Sequence, residues 1–508
     1  MSLFGSKNRY REWGSLQSGS SVDTMTRNPE ARYSAACQRI ARNLAKTFIS
    51  ALLLTFGIPN LSSADNSPCP QPTYKYLRYE EDYSYLKNPV CRTDPFDRLK
   101  FIALNHNDKW FLSLGAELRE NVEYFQNPTW GQEPQGPAYL LQRYMAHVDL
   151  HLGERVRFFG QIKSGLEDGR AGGPRVIDED KLDVHQAFLD LLLISAARHS
   201  IKLRAGRQEV ALGARRFVSA REGPNVRHSF DGIRLILSIN TWKVDIFATR
   251  PVQTKVGFFD DPPSPGQTFW GIYATRPLHW LPTANMDFYY LGLDRTRAQF
   301  QQGIASEIRH SFGTRLWGQK NAWDYDIEPI FQAGSFGSGN IRAWAVESET
   351  GYTVRSWWST PRLAIRADAA SGDRDPNHPD LQTFNPLFPR GLYHQLVNLN
   401  GHVNFLDLDP VLVSHINQQL SLTLDCAFFW RESRGDGIYR VGGNLLRPGS
   451  GSKARYLASQ PSLVAEWRPQ RHVSVIAIYT HSSPGPVLRE TGPAGSVNYI
   501  SLWLSYKF

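Results

Sequence analysis

From about Trp110 onward the chain alternates between apolar and polar residues with a period of two. In Leu112 to Tyr124, Leu112, Leu114, Ala116 and Leu118 oppose Ser113, Glu117, Arg119, Asn121 and Glu123. The next segment sets Tyr144, Ala146, Val148 and Leu150 against Arg143, His147 and Asp149; then Val156, Phe158 and Ile162 oppose Arg155, Arg157, Gln161 and Lys163. Successive strand residues point to opposite faces, so each segment predicts a strand with one apolar and one charged face. A water-filled lumen tolerates charges on the second face of strand after strand, whereas a dry sandwich core does not. Segments of similar length follow at 184–193, 200–209, 231–239, 241–250, 267–275, 284–293, 306–318, 321–333, 341–352, 361–370, 402–413, 418–430, 460–468 and 471–480. With a closing strand they make eighteen candidates, within a range of sixteen to eighteen. The fold class expected is all-β, an antiparallel up-and-down transmembrane barrel with an even number of strands.

The last eleven residues, Asn498 to Phe508, place Ile500, Leu502, Leu504, Tyr506 and Phe508 on one face and Tyr499, Ser501, Trp503, Ser505 and Lys507 on the other. A strand that stops at an aromatic carboxyl terminus has the form of an outer-membrane barrel's closing strand. Tyr506 and Phe508 are then the closure signal offered to the barrel assembly machinery. A soluble sandwich can also end on a half-buried strand, and the amino end separates the two readings. Arg39, Arg42 and Lys46 precede the apolar run Phe48 to Ile58, and Leu61 to Ala64 ends in an A-x-A-like site. That order reads as a secretory signal cleaved after Ala64. A membrane anchor is the rival, but its apolar core falls short of the ~20 residues a crossing helix needs. Residues 1–64 are therefore read as signal, with a doubtful extra amino terminus before Met25. Residues 65–107 do not alternate and are read as a periplasmic lead-in or plug, and 108–508 as the barrel. The place expected is the outer membrane of a Gram-negative bacterium, in contact with its lipid.

Composition agrees with a barrel: aromatics make up 12% of the chain and mean hydropathy is −0.40, as expected when only alternate residues need be apolar. Trp110, Tyr124, Trp242, Trp280, Trp323 and Trp430 lie near strand ends and suit interfacial girdles. Asn240-Thr241 and Gln319-Lys320 allow tight turns, whereas 125–138, 166–182, 210–230, 371–400 and 431–459 are long and polar. Cys69 and Cys91 can close a loop in an oxidising compartment or remain two thiols, and Cys426 shares the apolar parity of Leu422, Leu424 and Phe428. No CxxC or HExxH occurs, and no metal or cofactor is expected. Residues 65–508 carry 49 basic and 45 acidic side chains, a net of about +4, which is too mild to argue for nucleic acid. Fourteen of the 57 basic residues are Lys, leaving 43 Arg. Arginine's planar, always charged fork suits recognition of anions; codon bias explains the same excess.

Four blocks together resemble the alginate export family of outer-membrane proteins: Leu77 to Leu104, Leu203 to Leu235, Ser371 to His394 and Phe428 to Arg440. The resemblance implies a monomeric barrel of eighteen strands with an arginine-rich lumen that passes an anionic polysaccharide. In the second block Arg204 and Arg234 sit on strands, and Arg215, Arg216, Arg221 and Arg227 sit in the loop between them. Folded inward, these arginines ring a constriction and replace the hydration of a carboxylate. On an outer loop they would instead pair with Glu209, Glu222 and Asp231. In the family's pattern the position after Gly206-Arg207-Gln208 can be basic in dedicated alginate channels; here it is Glu209, which argues against strong polyanion selectivity. Further inward candidates are Arg119, Arg143, Arg362 and Arg366, with Glu117, Asp149, Asp368 and Asp425 as lumen acids. Asp373, Asp375 and Asp380 fit either a Ca²⁺ ligand set or a solvated loop tip.

The reading is a passive channel for anionic saccharide, with uptake of small organic acids as the alternative. A barrel enzyme would need a nucleophile beside His147, His185 or His310, and no GxSxG motif occurs.

Overall fold

A computed structural model describes residues 69–70, 73–279, 283–390 and 397–508. The amino-terminal signal and Trp280 lie outside the described residues. Twenty-one strands are present among the described residues. A two-residue strand, β1 (Ile102–Ala103), pairs with the start of the wall, which runs β2 (Trp110–Gln126), β3 (Tyr139–Leu152), β4 (Val156–Asp168), β5 (Asp180–Ala196), β6 (His199–Gln208) and β7 (Phe230–Ile239). It continues through β8 (Trp242–Pro251), β9 (Gln267–Pro277), β10 (Ala284–Phe300), β11 (Gly303–Lys320), β12 (Trp323–Phe336), β13 (Gly339–Thr353) and β14 (Arg362–Ala370). β15 (Phe405–His415) and β16 (Leu420–Trp430) come next, then a loop hairpin of β17 (Ile438–Tyr439) and β18 (Leu445–Arg447). β19 (Tyr456–Gln470), β20 (Val473–Pro484) and β21 (Val497–Lys507) complete the wall. Its eighteen strands pair antiparallel in chain order, and β21 returns to pair with β2. Closure removes every sheet edge, which in hydrocarbon would leave backbone groups without partners. No helix among the described residues is long and apolar enough to cross a membrane; the crossing is made by strands.

The seam shows why the closing strand alternates. Its ladder runs from Glu117 opposite Lys507 to Gln126 opposite Asn498. On the inner face Lys507 Nζ lies 3.3 Å from Glu117 Oε2, Ser501 Oγ donates to Asn121 Oδ1 at 2.7 Å, and Tyr499 OH donates to Glu123 Oε1 at 3.0 Å. Outside, Ile500 and Leu502 are exposed. Tyr506 and Phe508, expected on the lipid face, depart from that pattern. Phe508 stacks on Phe96 with ring centres 4.7 Å apart, and Tyr506 packs on His472 and Phe96, because the lead-in wraps under the end of the strand.

Tight turns and both ends of the wall share one rim. The turn after β11 falls at Asn321-Ala322, two residues beyond the expected Gln319-Lys320. Long connections gather at the other rim, except the two-residue links at 301–302 and 337–338. There β10 runs on to Phe300 although Asp294-Arg295-Thr296-Arg297 carries charge on both faces, and so shows no amphipathic alternation. Trp110, Trp242 and Trp323 mark the turn rim and Tyr124 and Trp430 the loop rim, all on outward parity.

Candidate functional site

The lumen is occupied by the chain itself. Residues 73–101 form short 3₁₀ and α turns, tied by a Cys69–Cys91 disulfide, and push Tyr79 into the barrel. The Tyr79 ring packs edge-on against Phe159 and Phe188, and its hydroxyl donates to the Glu209 carbonyl at 3.0 Å. Across from it the 209–229 loop turns inward between β6 and β7. Gly213, at φ +52°, has no room for a Cβ beside the Tyr273 hydroxyl, so the loop can approach the far wall only with glycine there. Val218 forms a parallel bridge with Phe388, joining this loop to the 371–404 loop inside the barrel.

Most of the expected selectivity arginines are engaged by acids. Arg204 donates to both oxygens of Asp190 at 2.7 and 2.8 Å and lies between the Tyr79 and Phe188 rings, 4.1 and 3.9 Å from their centres. Arg234 donates to Asp245 at 2.9 Å. Arg143 bridges Glu117 at 2.6 Å and Glu222 at 2.5 Å. Arg227 donates to Glu209 at 2.6 Å, to the Glu222 oxygen that Arg143 leaves free, and to the Tyr76 carbonyl. Arg216 spans the lumen to Asp326 at 2.6 Å and Glu328 at 3.0 Å on β12. Arg362 bridges Asp324 and Glu349, and Arg366 bridges Glu349 and Asp409. Arg119 stacks 4.4 Å over Trp503 and donates to the carbonyls of Glu222 and Pro224. The loop thus folds inward and its arginines pair with Glu209 and Glu222, two features that the sequence set as alternatives. Burial alone would raise the Glu222 carboxyl, but Arg143 and Arg227 hold it down to about 2.

Two arginines differ. Arg215 and Arg221 both take left-handed backbone conformations, φ +66° and +58°, at a cost of ~1 kcal/mol or more each for a side chain with a Cβ. Arg215 lies over the Tyr76 ring at 4.3 Å. Arg221 lines a cavity of about 560 Å³ at the loop rim with His228, Gln253, Arg297 and Phe388. Among the described residues no carboxylate pairs with the Arg221 guanidinium; burial pushes it down to about 10, and only the Tyr76 hydroxyl pulls the other way. At the turn rim a second cavity, about 620 Å³, is bounded by Tyr79, Glu81, Arg157, Lys202, Arg204 and Arg234.

Of the lumen acids, Asp149 accepts from Arg157 at 2.7 Å, and Asp368 and Asp425 face inward and are buried. Cys426 lies on the outward parity of β16. The Ca²⁺ set does not assemble: Asp373 accepts from Gln302, Asp380 accepts from the Asn340 backbone, and Asp375 caps its own turn. His147 stacks on Phe159, His185 bonds Glu209 at 2.8 Å, and His310 bonds the Tyr290 hydroxyl at 2.8 Å. Asp190 and Asp245 were readable from the parity that marks Arg204 and Arg234. Tyr76 and Tyr79 were not, because the lead-in carries no periodicity.

A closed barrel of eighteen strands with an apolar outer belt and a charged interior is an outer-membrane channel. The chain belongs to the alginate export family, whose model matches residues 111–500. No curated protein matches it. Among solved structures, Pseudomonas aeruginosa OccK8 (OprE) superposes with a TM-score of 0.53 at 11% identity, over 78% of this chain and 98% of that one. OccD3 (OpdP) from the same organism gives 0.52 at 11%, over 81% and 93%. OpdQ gives 0.51 at 11%, over 78% and 98%. At such identity these likenesses speak to the fold. The chain is an outer-membrane protein of a Gram-negative bacterium, and its family and fold are of the channel kind.

Proposed function

We propose that this channel passes anionic saccharide by passive diffusion, without covalent chemistry, as a monomer surrounded by outer-membrane lipid. Tyr506 and Phe508 would present the end of the chain to the barrel assembly machinery before the lead-in covers them. The observation that carries the proposal is Arg221: a guanidinium with no acidic partner, facing a 560 Å³ cavity at the loop rim. Charge left uncompensated in a narrow, low-dielectric passage acts on a solute far more strongly than charge in a neutral pair. An alginate-like polymer leaving the cell is the export form of this reading.

A second reading, passage of small organic acids, draws support from the paired wall and from the two cavities. Their 620 and 560 Å³ are of a size for a single small ligand rather than a polymer chain. Current block in planar bilayers separates the readings. Uronate oligomers should block the open current, neutral oligosaccharides of equal length should not, and Arg221→Ala should weaken the block several-fold. Equal block by both sugars would remove the anionic preference, and uronate monomers passing while oligomers neither enter nor block would favour small acids.

A further inference from the structure

The two cavities lie at opposite rims, and the wall between them is lined with phenylalanine. On β8, Asp245 borders the turn-rim cavity and Pro251 the loop-rim cavity. Six residue steps of strand lie between them, a rise of about 20 Å. The inward positions in that interval are Phe247 and Thr249, flanked by Phe230 on β7 and Phe269 on β9. Phe388 meets them from the 371–404 loop: its ring centre lies 5.0 Å from that of Phe230 and 4.8 Å from that of Phe269, edge-on to both. Phe247 packs on Phe269 at 5.0 Å. Its ring also lies over Gly271, where a Cβ would come within 3.0 Å of Cζ, so the wall gives up a side chain to seat it. All four phenylalanines are buried. The Thr249 hydroxyl donates to the Phe269 carbonyl at 3.0 Å, so its proton is spent within the wall. On the loop-rim side the His228 ring stacks on Phe388 at 5.3 Å.

Charge borders this layer on both sides: Arg234 and Asp245 pair toward the turn rim, and Arg221 lies toward the loop rim. A narrow stretch lined by apolar rings offers hydrated ions no hydrogen bonds, and such stretches gate by emptying of water. Phe230, Phe247 and Phe269 stand on wall strands, whereas Phe388 stands on a loop. That loop is fixed at Asn385, whose backbone N–H and carbonyl both bond the Gln332 side chain, at 2.9 and 2.8 Å. Leu387 follows in a left-handed conformation, φ +61°, which a bulky side chain keeps only where its neighbours hold it. Phe388 is tied to the inner loop, its N–H donating to the Phe217 carbonyl at 2.9 Å and its carbonyl accepting from the Ser219 N–H at 3.0 Å.

We propose that Phe230, Phe247, Phe269 and Phe388 form an apolar gate between the two cavities, with Phe388 as its movable leaf. The gate rests on the channel reading above, in which the two cavities are ends of one passage. With the rings together, hydrated ions are held back; displacement of Phe388 with its loop, beyond the fixed point at Asn385, joins the cavities. The gate sets whether a solute passes, and Arg221 sets which sign of charge is favoured.

Single-channel conductance of the purified full-length barrel, in planar bilayers with KCl alone, is compared for wild type, Phe388→Leu, Phe388→Asn and Phe247→Asn. Leu keeps the layer apolar with a smaller side chain, whereas Asn brings an amide that binds water. Phe247→Asn alters the layer from the wall and leaves the backbone bonds of the loop in place. The expected result is a several-fold rise in conductance for both Asn variants, with Phe388→Leu close to wild type. Equal rises in Phe388→Leu and Phe388→Asn would show that loop packing alone closes the passage and would overturn the apolar gate. Wild-type conductance in all three variants, or a rise confined to Phe388→Asn, overturns it as well. The chloride-to-potassium ratio should keep its wild-type value in each variant that rises. No change of that ratio in Arg221→Ala, with the conductance pattern as expected, would remove the anionic preference and leave the gate standing.

Discussion

The two sides of the lumen spend their charge differently. Along β2 to β8 the inward guanidinia of Arg119, Arg143, Arg157, Arg204 and Arg234 each meet a carboxylate, a carbonyl or an aromatic plane, and the partners come from the lead-in and the inner loop as well as from the wall. Arg204 with Asp190 and Tyr79, and Arg143 with Glu117 and Glu222, are clamps that hold polypeptide inside the barrel. Along β13 to β15 acids outnumber bases, with Glu347, Glu349, Asp368, Asp407 and Asp409 against Arg362 and Arg366. The comparison teaches that an excess of arginine in the chain is not an excess of free positive charge in the channel. Paired arginines hold the lead-in and the inner loop, and in the proposed function the field a solute meets is set by the few left over.

The largest expected effect comes from breaking a clamp. Arg204→Ala leaves Asp190 buried without its main partner and removes the cation from the Tyr79 ring, a loss of about 3–5 kcal/mol. The lead-in should then be cut by protease within residues 73–100 while the barrel stays intact; a lead-in as resistant as wild type would show that these contacts do not hold it. Acid tests the same side more gently. Glu222 is held down to about 2 from an ordinary 4.5, so its contribution is full above about pH 4.5 and is lost as pH falls through 2. Conductance should rise across that window as the loop loosens, and Glu222→Gln should show the loosened level already at pH 7. A pH dependence of the same sign, at higher pH, is expected at Lys100, which burial, helped by Arg78, pushes down to about 7. Its folded form binds fewer protons than the unfolded chain between pH 7 and 10.5, so lead-in docking should strengthen as pH rises through that range. Lys100→Met should remove the dependence and add about 1 kcal/mol at neutral pH, read from denaturant release of the lead-in.

The wall was legible because a lipid-facing strand must alternate, and Leu112 to Glu123 or Val156 to Lys163 carry that constraint in every residue. Legibility stopped where the constraint stops. β10 continues past Leu293 toward the loop rim, where Asp294 and Arg295 do not alternate. Parity also told which arginines face inward, but not what they touch. The partner of Arg216 lies on β12, more than a hundred residues away, and that distance is closed by a loop whose path no local pattern records. Tyr79 escaped notice for the same reason, and Tyr506 and Phe508 were placed in lipid because the sequence does not show the lead-in that covers them.

In the proposed function, anion preference arises from unpaired charge. Reversal potential in a KCl gradient across a planar bilayer tests it most directly, comparing wild type, Arg221→Ala, and the double variant Arg234→Ala/Asp245→Ala that deletes a neutral pair. Chloride preference is expected in wild type, with a several-fold fall in the chloride-to-potassium ratio for Arg221→Ala and no change for the double variant. Unchanged selectivity in Arg221→Ala, with loss in the double variant, would contradict it.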